Sequence, residues 1–130
     1  MTKKTITILV CLLALAGIAL FLNITKLPSS DAGIVIFYSD SCPHCVNVEN
    51  FLEENKVSEK VAYTRKSVDN DQKNIEELIA KDRGCGLKEG DQNFGAIPLL
   101  WEKETNKCFV GDEDVINFFK EILRQAQDKK

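Results

Sequence analysis

The amino-acid sequence predicts a three-layer α/β domain, a four-stranded mixed sheet with helices on both faces, preceded by one transmembrane helix. Three observations carry this. Residues 6–24 form a run of nineteen residues without a charge. After residue 32 the hydrophobic spacing alternates between strand and helix in the order β-α-β-α-β-β-α. The 130 residues are 44% hydrophobic and 28% charged, which suits one globular domain and excludes a second core, a disordered chain or a collagen-like one.

The chain divides into a segment at residues 1–27, a linker at 28–32 marked by Pro28, Ser29 and Ser30, a domain at 33–125 and a tail at 126–130. As a helix, residues 6–24 would extend about 28 Å, close to the roughly 30 Å thickness of a bilayer's hydrocarbon. Lys3 and Lys4 precede the run and only Lys26 follows it, so the N-terminus is expected in the cytoplasm and the domain outside. The alternative is secretion after cleavage of a signal peptide at Ala14-Leu15-Ala16, which would leave the apolar stretch GIALFLNI on the mature chain. Both readings export the domain. The bulky Val10 directly before Cys11 argues against a lipoprotein site, and Cys11 reads as an apolar membrane-facing side chain.

Three of the seventeen Lys and Arg precede residue 29, and none of the twenty Asp and Glu does. The rest carries a net charge of −6, with no basic stripe, so nucleic acid is excluded as a partner class.

Within the domain, residues 33–38 (GIVIFY) are a continuous β-branched apolar run, the mark of a central strand buried on both faces. Residues 42–55 read as a helix with Cys45, Val48, Phe51 and Leu52 on one face. Residues 61–68 are a moderate strand. A second helix over 71–83 is expected to bury Ile75, Leu78 and Ile79 and to stop at Gly84. Residues 84–97 form a glycine-rich loop, and 98–103 and 107–110 two short strands joined by a turn. The last helix is expected to open on Asp112 as cap and to bury Val115, Ile116, Phe118, Phe119, Ile122 and Leu123, with Trp101 also in the core. Right-handed crossovers make the first two strands parallel.

The chemistry is expected at Cys42-Pro43-His44-Cys45, on the seam between the central strand and the first helix. The orphan N–H groups of a helix's first turn and its positive dipole end stabilise an anion, here the Cys42 thiolate. Pro43 sacrifices no hydrogen bond in that turn. A protonated His44 adds a second positive charge. Cysteines in such sites have pKa values from about 3.5 to 7.5, against about 8.5 when free. Stabilising the thiolate stabilises the reduced pair, which makes its disulfide a good oxidant of other thiols. Cys45, facing the core, is placed to resolve a mixed disulfide. The rival readings are a metal-binding C-x-x-C, for which no second close Cys or His pair exists, and an inert structural disulfide. Haem attachment would need His where Val46 stands.

These residues resemble the thioredoxin superfamily, in particular its glutaredoxin-sized members, over roughly residues 33–124. The likeness lies in the strand, the CPHC at the helix start, and Ile97-Pro98 opening the third strand. It implies a cis-proline at Pro98 facing the redox pair, with Cys42 as nucleophile, Cys45 as resolving thiol, and Ile97 and Pro98 as the platform for an extended substrate. The Pro-His dipeptide is similar to that of the Dsb-type periplasmic oxidants, which implies export and oxidation together. The glutaredoxin lysine before the first cysteine is absent; the approach is Ser39-Asp40-Ser41, and Asp40 would repel a glutathione carboxylate. Gly111-Asp112 is similar to part of the glutathione site and fits an ordinary helix cap equally well. No cofactor beyond the redox disulfide is expected. The buried acid of thioredoxins falls on Ile36 here, leaving Glu49, Asp40 or water to carry the resolving thiol's proton.

Cys85 and Cys108 lie on elements that can approach in such a fold. A structural disulfide closing 22 intervening residues, at a gain of about 3 kcal/mol, is the favoured reading; two separate thiols and a second redox pair are the alternatives. The function expected is that of a membrane-tethered thiol-disulfide oxidoreductase, an oxidase in preference to a reductase. Its partners would be exported protein thiols and a membrane or soluble partner that recharges the site. The alternative is a binding module without catalysis.

Overall fold

A computed structural model describes residues 32–128. The expected span at residues 6–24, its signal-peptide alternative, Cys11 and the tail lysines Lys129 and Lys130 lie outside the described residues. Among the described residues no helix is long and apolar enough to cross a membrane.

The elements follow in the order β1 (Ile34–Tyr38), α1 (Pro43–Glu54), a 3-10 turn (Val57–Glu59), β2 (Thr64–Ser67), α2 (Gln72–Gly84), β3 (Leu99–Glu102), β4 (Lys107–Val110) and α3 (Asp112–Asp128). The sheet order is β2-β1-β3-β4, with β1 and β2 parallel and the β1–β3 and β3–β4 pairs antiparallel. This is the four-stranded α/β architecture that the alternating spacing predicts.

β1 is central because its side chains are apolar on both faces, and the two faces bury different partners. Ile34 and Ile36 join Val48 and Leu52 of α1, Val57, Leu100, and Val115 and Phe119 of α3. Val35 and Phe37 join Leu78 of α2 and Leu99 on the other side. The first face is the richer, covered by two helices and lined with aromatics. Tyr63 meets Phe119 edge-on with ring centroids 5.6 Å apart, and Phe118 meets Phe119 at 5.4 Å.

Most boundaries fall within a residue of the sequence expectation, and the departures that follow have identifiable causes. The second strand is Thr64–Ser67, not residues 61–68, because the chain first turns around the fully buried Val57, whose carbonyl accepts the Lys60 and Val61 N–H groups. Gly84 does not stop α2 but is its last residue. The stop is Gly86, at φ +91°, with Gly86 N–H donating to Arg83 O and Leu87 N–H to Asp82 O. That is the double bond of a left-handed helix end, which a residue with a Cβ adopts only under strain. Asp71 caps α2, its carboxylate accepting from Asn74 N–H at 3.1 Å. Asp112 is not the cap of α3 but its first residue, and Val115 N–H donates to Gly111 O behind it. The helix continues to Asp128, past the domain end expected at residue 125. Leu78 is buried as expected, Ile75 and Ile79 only half so, and Trp101 is half-buried.

Candidate active site

β1 delivers the chain to a tight turn. Ser39 is buried, its hydroxyl lies 2.9 Å from that of Ser41 and accepts the Ser41 N–H, and its carbonyl accepts the Cys42 N–H. Asp69, following β2, takes the Asp40 N–H at 2.7 Å. Hydrogen bonds from the Ser39 side chain and the Asp40 backbone hold the Asp69 carboxyl below the usual range. Cys42 is the N-cap of α1, and its sulfur accepts the Cys45 N–H at 3.3 Å. The residue type explains the local structure: a sulfur occupies the place where a cap oxygen usually satisfies the first turn, and Pro43 begins the helix without a donor to satisfy.

Cys42 is half-exposed and Cys45 is only 5% exposed, and neither is bonded to another cysteine. Burial first, then the hydrogen bond and charge of Cys42, push the Cys45 thiol up to about 12. The two sulfurs are therefore unequal. One stands at a helix N-terminus within reach of solvent, and the other keeps its proton at neutral pH. Behind Cys45 lies a small cavity lined by Tyr38, Glu49, Arg65 and Pro98 among others, and Arg65 Nη1 donates to Glu49 Oε1 at 2.7 Å. Of the two acids considered as carriers for the Cys45 proton, Glu49 is the one that lines this cavity.

The Ile97–Pro98 peptide bond is cis. Pairing of Phe37 with Leu99 leaves Ile97 and Pro98 just beyond the end of β1, beside the cysteine turn. Ile97 O accepts from Cys42 Sγ at 3.7 Å, and Pro98 is fully buried. Gly111, at φ +94°, donates its N–H to Pro98 O at 2.9 Å and so ties the start of α3 to the same corner. Val46, next to Cys45 on α1, is 44% exposed, an apolar side chain open to solvent near the pair.

His44 leans on α3. Its Nδ1 donates to Asp112 Oδ1 at 3.1 Å, and Asn47 Nδ2 donates to Asp112 Oδ2 at 2.7 Å. These two bonds, Asn47's first, hold the Asp112 carboxyl below the usual range. Sequence reasoning assigned Asp112 to a helix cap and passed over Asn47. Their contact joins residues 65 and 68 positions apart, and no local pattern announces it.

Cys85 and Cys108 do not join this cluster. They are bonded to each other, Cα to Cα 5.8 Å, linking the end of α2 to β4. Cys108 pairs with Trp101, which pairs with Val35 near the start of β1, so the bond lies toward the opposite end of the sheet from Cys42. Among the described residues no three His, Cys, Asp or Glu side chains are grouped to hold a metal ion.

A thioredoxin-like fold, with a dithiol at the N-terminus of the first helix and a cis-proline beside it, is thus the class that the described residues define. Comparison with known proteins agrees. Residues 34–84 match the glutaredoxin family model. Among solved structures, the chain is similar to the holo form of glutaredoxin C1 from Populus tremula x tremuloides, at 20% identity and a TM-score of 0.51, covering 78% of this chain and 89% of that one. It is similar also to oxidized glutaredoxin 2 from Chlamydomonas reinhardtii, at 16% identity and a TM-score of 0.50, covering 75% and 85%. No curated protein sequence matches it. The partial family match and the shared fold support a thioredoxin-superfamily domain.

Proposed function

We propose that the domain is a thiol-disulfide oxidoreductase that acts on thiols of exported proteins, held at a membrane surface by residues 6–24 and working outside the cytoplasm. The observation that carries the reading is the inequality of the two sulfurs: Cys42 is open and accepts a helix N–H, while Cys45 behind it is buried and proton-bearing.

In the oxidising direction a substrate thiolate attacks Cys42 Sγ, the Cys42–Cys45 bond breaks, and Cys45 leaves with the electron pair and takes up a proton. A second substrate thiolate then attacks the substrate's own sulfur in the mixed disulfide, releasing Cys42 as thiolate. Two electrons have entered the protein and one disulfide has formed on the substrate. A separate redox partner accepts those electrons and restores the pair. Reduction of a substrate is the same sequence reversed, with Cys45 losing its proton before it attacks Cys42, and Glu49 lines the cavity that receives it. Oxidation is preferred because a helix N-terminus favours the thiolate and hence the reduced pair.

Protein thiols are favoured over glutathione because both oxygens of Asp112 are engaged by His44 and Asn47, and because Asp40 sits on the approach. Ile97 and Pro98 would supply the backbone platform and Val46 an apolar contact for the substrate.

The test is alkylation of the reduced protein by iodoacetamide at about pH 6, where an ordinary cysteine is almost wholly protonated. Cys42 should be modified rapidly and Cys45 spared, and Cys45→Ser should trap mixed disulfides with an unfolded, thiol-bearing protein. Labelling of Cys42 no faster than that of a free cysteine, with no trapped adduct, would return the domain to a binding role.

A further inference from the structure

Asp112 is tied to the redox helix more closely than a helix start requires. It is the first of three acidic residues in the first turn of α3, and the other two, Glu113 and Asp114, are exposed. Its own side chain is only 20% exposed, against 68% for His44. An anion in that turn is stabilised by the helix dipole, and Asn47 supplies a further donor at 2.7 Å. The carboxylate is thereby fixed in charge and in direction before His44 is considered. Its remaining oxygen, Oδ1, meets His44 Nδ1.

The fold does not need that last contact. Gly111 N–H already joins the start of α3 to Pro98, and Asn47 already joins Asp112 to α1. The contact with His44 adds a property of the ring: it anchors Nδ1 on a carboxylate oxygen and so fixes the plane of the imidazole and the direction of Nε2. His44 is also the residue between Pro43 and Cys45, two positions from Cys42. A ring held there stands in the same first turn as the Cys42 sulfur.

We propose that Asp112 is a positioning residue of the redox site: bonded to His44 Nδ1, it fixes the imidazole at the helix end that carries the pair and shifts the Cys42–Cys45 equilibrium toward the dithiol. The proposal rests on the oxidoreductase reading above. Asp112 touches neither sulfur nor substrate in this role and acts only through His44.

The experiment is a double-mutant cycle on the redox equilibrium, measured for the full chain against glutathione buffers, with thermal unfolding to show that each variant is folded. His44→Ala should make the pair about tenfold easier to keep oxidised, a shift of about 30 mV for a two-electron couple. Asp112→Asn should move it the same way, threefold to tenfold on the same scale. In the Asp112→Asn background, His44→Ala should then add less than about threefold, because the ring it removes is no longer held in place. Asn47→Ala, which removes the donor that aims Asp112 but leaves its carboxylate, should move the equilibrium the same way by less than Asp112→Asn does. Equal effects of His44→Ala in both backgrounds, or an unmoved equilibrium in Asp112→Asn, would overturn the proposal while leaving the oxidoreductase standing. If the native pair fails to exchange with glutathione at all, it is the oxidoreductase reading that falls.

Discussion

Asp82 shows what a single buried charge does to a small domain. Its side chain is wholly inaccessible; Oδ2 accepts the Gly95 N–H at 2.6 Å, and Oδ1 has no hydrogen-bond partner. Burial raises its affinity for a proton above that of an ordinary carboxyl, with the Gly95 bond opposing. A carboxyl whose pKa is raised on folding stabilises the fold most when protonated in both states, and that contribution fades as pH rises through the folded-state value. Asp82→Asn keeps an acceptor for Gly95 and removes the charge. The melting temperature of the native chain minus that of Asp82→Asn should therefore be more positive at about pH 4 than at about pH 7. Asp82→Ala, which abandons the Gly95 N–H, should cost about 1–3 kcal/mol at neutral pH in denaturant unfolding. Asp82 could be read from the sequence only as a helix-surface acid, and Asp112 only as a helix cap or part of a glutathione site, not as the partner of His44. The CPHC group could be read as a site, because all its chemistry lies within four adjacent positions whose place at a strand–helix seam is set by local spacing.

Among the elements, α3 is the one most plainly written in the sequence. Its apolar residues recur at three and four, Val115 and Phe119 are buried, and Ile116, Phe118, Ile122 and Leu123 pack at the margin of the same core. Phe119 contacts both Tyr63 and Phe118, so it joins α3 to the segment leading into β2. Phe119→Ala should destabilise the domain by about 3–5 kcal/mol in chemical unfolding, since the surrounding rings cannot close the void. Phe118→Ala, on a half-buried ring, should cost visibly less. What the element-level spacing could not specify was where elements end. Gly84 and Gly86 are equally good stops by residue type, and only the backbone bonds from Gly86 and Leu87 to the last turn of α2 select the second. The residues before β2 have strand-like composition, yet the need to bury Val57 bends the chain there first.

At the scale of the whole domain, the two faces of the sheet are protected differently. One is covered by α1 and α3 with an aromatic core; the other has α2 alone, a cluster of four buried side chains, and the long segment from residue 85 to 98. The Cys85–Cys108 bond closes the weaker face, with help from Asn106, whose side chain donates to Gly84 O and accepts from Trp101 Nε1. Replacing both cysteines by Ser should lower stability by about 3 kcal/mol, the chain-entropy value for a loop of 23 residues. Hydrogen exchange should show the loss in α2 and residues 85–98 before the β1–β3 pair opens.

Trp101 is the sole tryptophan of the chain, directly across the β3–β4 ladder from Cys108, with Lys81 Nζ 3.4 Å above its ring. An excited indole passes an electron readily to a neighbouring disulfide, so its emission should be dim while Cys85 and Cys108 are joined and should brighten when they part. Reducing the CPHC pair, beyond the other end of β1, should leave that light unchanged. The molecule thus carries a lamp wired to one of its two sulfur pairs, and a fluorimeter can watch the brace break while alkylation follows the other.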